Sequence, residues 1–254
     1  MSIIYLIVGA GSALVSGMTG LAGGVLLLSY LSLTFPIEVV IPIHALVQVL
    51  ANLSRVILLR SQINWEIWKA FNLFTIPAGL LGAYGVSFLP QQLIKSAVGV
   101  VVIFAALYTA KKTYFGHRSI AESSQKKRRG QRRYVVLGAI SSLLGMVVGA
   151  TGPLIAPFFM MDGLKRERFI ATKSACQLTV QVIKTVIFAQ ILNFSYTDYS
   201  VELSLIVLGV FFGTWVAKKM LAKVRGSWLE MIITIMLLVI GSRLLIGGLS
   251  AIGA

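Results

Sequence analysis

Acidic residues are the scarcest feature of this 254-residue chain: eight Asp and Glu stand against 23 Lys and Arg, for a formal charge of +15. A carboxylate pair for acid–base catalysis, or an acidic relay for cations in a membrane, has little to draw on. The single cysteine, Cys176, excludes an internal disulfide and a multi-cysteine metal site. Charged residues are 12% of the chain, against roughly 25% in soluble domains, and 57% of residues are hydrophobic. With a mean hydropathy of +0.88, this composition excludes an ordinary soluble enzyme. It also turns the basic excess from a sign of nucleic-acid binding into a sign of membrane topology, because Lys and Arg are retained on the cytoplasmic side.

What is present in abundance is long apolar sequence. Eight candidate segments meet the length of about 20 apolar residues needed to cross a bilayer: 3–33, 39–59, 67–89, 91–110, 134–161, 169–190, 199–217 and 228–249. The first has no positive region ahead of it and runs past residue 30, which argues against a cleaved signal peptide. The longest polar connection, 111–133, carries nine Lys and Arg and one Glu, and cannot bury a core. It divides the chain into a first repeat (1–110), a basic linker (111–133) and a second repeat (134–254).

The halves match at one offset of 129 residues, without gaps. Gly20-Leu-Ala-Gly-Gly24 falls on Gly149-Ala-Thr-Gly-Pro153, Glu38 on Glu167, Gln48 on Gln177 and Asn64 on Asn193. The first segment of each repeat is about 30 residues long and is interrupted by small residues, a length that fits two half-helices better than one span. If segments one and five are re-entrant and the linker is cytoplasmic, eighteen Lys and Arg lie inside and two, Lys95 and Arg243, outside. Eight plain spans would instead put eight positives outside, against the positive-inside rule. The expected fold is therefore an all-α polytopic protein of the inner membrane, with two four-segment repeats, inverted, whose first helices are re-entrant or broken.

Candidate chemistry lies in two places. The glycine-rich breaks, Gly20, Ala22, Gly23 and Gly24 in one repeat and Gly149, Thr151, Gly152 and Pro153 in the other, would expose backbone N–H groups at a half-helix N-terminus, an anion site without a charged side chain. Next to them, His44, Gln48, Asn52 and Arg55 recur at i, i+4, i+8 and i+11, on one helical face within about 80°. Lys173, Gln177, Gln181 and Lys184 occupy the same positions in the second repeat. Cations inside a span cost about 2.5–3.5 kcal/mol each on insertion scales, so a polar pathway or binding site is the expected reason for them. No carboxylate sits near the centre of any segment, and a positive, donor-rich site suits an oxyanion. His44, with an ordinary pKa of about 6.5, is the candidate switch if protons are coupled to transport. Trp65, Trp68, Trp215 and Trp228 lie near segment ends, where interfacial belts form.

This pattern resembles the TauE/SafE-type sulfite and organosulfonate exporters. The likeness spans nearly the whole chain, through the two halves, the paired glycine motifs, and the run Pro42-Ile-His44-Ala-Leu-Val-Gln48-Val-Leu-Ala-Asn52-Leu-Ser54-Arg55 leading to Asn64-Trp65. The resemblance implies export of a small sulfur oxyanion or organic-acid anion through a site between the repeats. An anion channel or a carboxylate transporter of the same fold stays open. A membrane enzyme using His44 as base would lack any paired carboxylate, thiol or metal set to assist it, so no enzymatic activity, cofactor or metal is expected. The expected partners are the anion and membrane lipids rather than nucleic acid, with a homo-oligomer left open. The topology makes a direct prediction: single cysteines replacing Lys165 or Lys218 should react with an impermeant maleimide only from the cytoplasmic face, and labelling from outside would reject the inverted arrangement.

Overall fold

The computed structural model describes residues 2–19, 23–86, 88–115, 131–152, 155, 158–159, 164, 166–220 and 227–250, and among them it is entirely helical. In chain order the α-helices are α1 (Ser2–Thr19), α2 (Gly23–Thr34), α3 (Ile37–Leu58), α4 (Trp65–Asn72), α5 (Thr75–Val86), α6 (Gln91–Phe115), α7 (Arg132–Val148), α8 (Arg166–Gln190), α9 (Ser200–Met220) and α10 (Ser227–Ser250). Short 3₁₀ turns at Arg60–Gln62 and Thr197–Tyr199 precede α4 and α9. Residues 116–130 of the basic linker, with Gly20, Leu21, Ala22 and Pro153 of the glycine motifs, lie outside the described residues.

Both long first segments break and turn back. Gly23 lies directly against Ser12 O and Ser16 of α1, whereas eleven residues of unbroken helix would hold Ser12 and Gly23 about 16 Å apart. In the second half, the hydroxyls of Ser141 and Thr151 meet at 2.8 Å across ten residues. That reversal runs through Gly149, whose φ of +80° is a conformation other residues rarely adopt. Segment 67–89, expected as one span, is also divided, between α4 and α5. The cause is Pro77, which has no N–H to give the Leu73 carbonyl and whose ring crowds that turn. Thr75 Oγ1 donates to Asn72 O at 3.0 Å, tying the two pieces together.

The two asparagines matched at the 129 offset act differently. Asn64 caps α4, its Oδ1 accepting from the N–H of Glu66 at 3.2 Å and of Ile67 at 3.3 Å. Asn193 has φ +51° and stops α8, letting the Phe194 N–H close onto Phe188 O at 2.8 Å. The Asn64 N–H is itself held by Thr172 Oγ1 at 2.9 Å, which fixes the start of α4 to α8.

Packing follows the small residues. α1 lies along α9, where Gly9 meets the Ile206 backbone and Gly209 and Gly213 meet Leu6 and Ala10. α7 lies along α4 and α5, with Gly138 against the Phe71 carbonyl and Gly82 against Leu143. α6 pairs with α10 through Gly99, Gly241 and Gly248, and α3 pairs with α8. Small residues at these contacts let backbones approach closely, as in membrane helix pairs.

The distribution of polarity is the reverse of a soluble protein's. Ile7, Leu81 and Phe212 are about 60% exposed, at 59%, 65% and 60%, while Arg55, Lys173 and Lys184 are at most 8% exposed. An apolar exterior around buried cations belongs in lipid. Trp65 is exposed and packs edge-on against Trp68, and the Lys219 ammonium sits 3.6 Å from the Trp215 ring centroid, both suited to an interfacial belt. These contacts predict opposite outcomes for two helix glycines. Gly138→Ala forces its methyl into the Phe71 carbonyl and should destabilise by about 1–3 kcal/mol, whereas Gly85→Ala, with nothing within 4 Å, should stabilise slightly. Thermal unfolding in detergent distinguishes the two.

Candidate functional site

The amphipathic arithmetic of α3 and α8 fixes the site's position. Each helix carries its polar residues on one face, and the helices are packed together, so the two polar faces meet in the interior. There a pocket is lined by Gly24, His44, Gln48, Asn52 and Arg55 from α2 and α3, and by Gly152, Lys173, Gln177 and Gln181 from the second half. Nine of the sixteen residues proposed from sequence thus converge on one cavity. Among the described residues, no buried side chain is a carboxylate.

The glycine breaks supply the pocket's small walls. A Cβ at Gly24 would lie 3.1 Å from Gln48 Nε2, and a Cβ at Gly152 would lie 3.4 Å from both Gln177 Oε1 and Lys173 Nζ. A side chain at either position would therefore fill space that the amides and the ammonium border. The sequence offset matches Gly152 with Gly23, but Gly23 is consumed by packing on α1 and Gly24 borders the pocket instead. Gly20, Ala22 and Pro153 lie outside the described residues.

Hydrogen bonds order the lining. His44 Nε2 donates to Gly24 O at 2.9 Å, joining α3 to the start of α2. Arg55 donates from a terminal nitrogen to Asn52 Oδ1 at 2.8 Å. Gln177 Nε2 donates to Thr151 Oγ1 at 3.3 Å, and Thr151 is shared with Ser141. Thr151 therefore stabilises the chain reversal and braces Gln177, and it does not line the pocket itself.

Lys184 departs from its expected role. Its Nζ donates to Gly149 O at 2.7 Å and to Gly145 O at 3.3 Å. The ammonium thus serves the carbonyl of Gly149 and adds a second donor to that of Gly145, which also accepts the Gly149 N–H at 3.1 Å, at the C-terminus of α7, where the helix dipole favours a cation. It does not line the pocket, whereas Arg55, its partner at the 129 offset, does. Gly149 likewise serves the turn, through its backbone conformation and its carbonyl.

Three lining residues escaped the sequence reading: Ser16, Val25 and Ala150. Ser16 carried a detectable signal, a hydroxyl in an apolar helix one turn after Ser12 and just ahead of the glycine motif. Val25 and Ala150 carried none, because only the chain reversals bring them to the site. Among the described residues no group of three His, Cys, Asp or Glu is placed to hold a metal, and Cys176 is buried in an apolar cluster. Chemically, the pocket can bind a small polar anion through amides, an imidazole, a guanidinium and an ammonium.

The two roles assigned to Arg55 and Lys184 predict separable effects. Lys184→Met takes the ammonium donor from the Gly149 carbonyl, while Gly145 O keeps the Gly149 N–H, and should cost about 1–3 kcal/mol, lowering the thermal midpoint in detergent. Arg55→Met removes one bond within its own helix and should cost less; an equal or larger loss would contradict the capping role of Lys184.

No curated protein and no solved structure gives a significant match to the chain. A family model described as sulfite exporter TauE/SafE matches residues 5–244. The match covers almost the whole length and includes every residue of the pocket, and the chain belongs to the TauE/SafE sulfite exporter family of membrane transporters.

Proposed function

We propose that this transporter exports small sulfur oxyanions, sulfite or organosulfonates, through the pocket between α3 and α8. The observation that carries the reading is the composition of that pocket: amides from both halves, the Arg55 and Lys173 cations, and no carboxylate among the described lining residues. Gln48, Asn52, Gln177 and Gln181 supply directional hydrogen bonds to oxygens, and the cations supply attraction. A negative-inside potential drives an anion outward by about 2.3 kcal/mol per charge per 100 mV, which suits export without an acidic coupling residue.

The same reading treats residues 1–110 and 134–254 as inverted repeats in the inner membrane, joined by a cytoplasmic linker. It is supported by the packing: α3 meets its counterpart α8, α6 meets α10, and the pairing of α1 with α9 is echoed by that of α7 with α5. Exchanging the halves preserves this pattern, as a two-fold axis in the membrane plane requires. The reversals after α1 and α7 support re-entrant first segments, with Gly24 and Gly152 beside the breaks lining the pocket.

The test is flux of labelled sulfite and methanesulfonate in proteoliposomes, comparing the parent with the double variant Gln48→Ala, Gln177→Ala. Saturable flux should fall by about a hundredfold or more, the loss expected for two hydrogen bonds to a charged ligand at about 1.5–3 kcal/mol each. Unchanged flux in the double variant would discard this pocket, and linear, non-saturating flux would favour a channel.

A further inference from the structure

The pocket is not built of donors alone. Four buried atoms of its lining have no hydrogen-bond partner: Asn52 Nδ2, Arg55 Nε, His44 Nδ1 and Gln181 Oε1. The first two are donors and suit the oxygens of an anion. The other two point to a further requirement. His44 Nε2 lies 2.9 Å from Gly24 O, and a carbonyl can only accept, so Nε2 carries the hydrogen. The neutral ring then presents Nδ1 as a lone pair. Gln181 Oε1 is a second acceptor, and both side chains are almost wholly buried, at 1% and 2% exposed.

A ligand made only of acceptor oxygens would satisfy Asn52 and Arg55 and leave both buried acceptors without a donor from the ligand. Buried groups left unpaired in this way are what lets a polar site reject an analogue lacking one hydrogen. Resting on the transport reading above, we propose that the pocket selects an oxyanion that carries its own hydrogen-bond donor, received by His44 Nδ1 and Gln181 Oε1. That chemistry has two sources: a hydrogen oxyanion such as hydrogen sulfite, or a sulfonate with a hydroxyl or amine on its carbon chain. The bare dianion and simple alkylsulfonates lack it.

Among the described residues, the charged groups near this pair are all cations. Arg55 belongs to α3 and Lys173 to α8, both in the pocket lining, and Lys184 of α8 lies within electrostatic reach of His44. The residues contributed to the pocket by α1, α2 and the turn after α7 are Ser16, Gly24, Val25, Ala150 and Gly152, none of them titratable. No neighbouring carboxylate among them can stand in for the ligand's donor or compete for it.

The experiment measures flux in proteoliposomes of the full chain with 2-hydroxyethanesulfonate, methanesulfonate and sulfite. At one pH, 2-hydroxyethanesulfonate should exceed methanesulfonate at least tenfold in flux at limiting concentration, and Gln181→Met should bring that ratio toward one. Being a ratio within one preparation, it does not depend on folding yield, and the parent value alone decides the point if the variant fails to fold. For sulfite, flux should fall as pH rises in proportion to the hydrogen sulfite fraction, while the ratio between the two sulfonates stays constant. Sulfite at low pH outrunning 2-hydroxyethanesulfonate would support the proposal with the hydrogen oxyanion as source; the reverse order would support it with the donor-bearing sulfonate as source. Equal saturable flux of the two sulfonates, or sulfite flux that rises with the dianion, would overturn the proposal and leave the transport reading standing. Absence of saturable flux for all three would overturn both.

Discussion

The structure depends on keeping positive charge inside a bundle that holds no buried carboxylate among its described residues. Arg55, Lys173 and Lys184 are each at most 8% exposed. At about 2.5–3.5 kcal/mol apiece on insertion scales, the three together rival the 5–15 kcal/mol that holds a typical domain folded. Each therefore needs a local reason to be tolerated. For Lys184 that reason is the C-terminal end of α7, whose Gly149 and Gly145 carbonyls accept hydrogen bonds from its ammonium. For Arg55 it is partly Asn52 and, on the transport reading, partly the anion that visits the pocket.

The broken helices follow from the same constraint. A straight first segment would seal its N–H groups within itself and fill the centre of the bundle with side chains. Reversal at Gly23 and at Gly149 leaves small residues, Gly24 and Gly152, beside Gln48 and Gln177. The reversals are braced by polar contacts: Ser141 with Thr151, outside the pocket, on one side, and His44, itself a lining residue, with Gly24 O on the other. Polar residues here therefore hold the architecture, line the pocket or, like His44, do both, and a single helix can carry each kind.

That division explains what could be seen in the sequence. The all-helical class, the break in each long first segment and the shared polar face of α3 and α8 were legible because hydropathy and the 3.6-residue period carry them directly. The 129-residue match placed Lys184 beside Arg55 as an equivalent, yet one caps a helix and the other lines the cavity. Equal register does not imply equal role, because a side chain's target lies on a different helix, where the halves have diverged. Asn64 and Asn193 diverge in the same way, one capping a start and the other terminating a helix. The split of segment 67–89 was written in Pro77, but an apolar count overlooks a proline four residues past a carbonyl. Val25 and Ala150 had no signal, since their place in the pocket depends on the path of the reversals.

The withdrawal of Lys184 also bears on how such a site can work. A carrier must bind its anion strongly enough to load and weakly enough to unload, and permanent cations facing the ligand favour the first at the expense of the second. Had all three buried cations pointed into the cavity, a small oxyanion would be held by charge-assisted bonds on several sides, each roughly twice as strong as a neutral one. Capping α7 with Lys184 commits one charge to the scaffold. On the transport reading, directional recognition of the ligand then falls to four amides, whose bonds are individually modest. Discrimination in such a pocket rests on where donors and acceptors stand, and attraction rests on Arg55 and Lys173 alone among the described lining residues. On that reading, recognition and attraction are carried by different side chains.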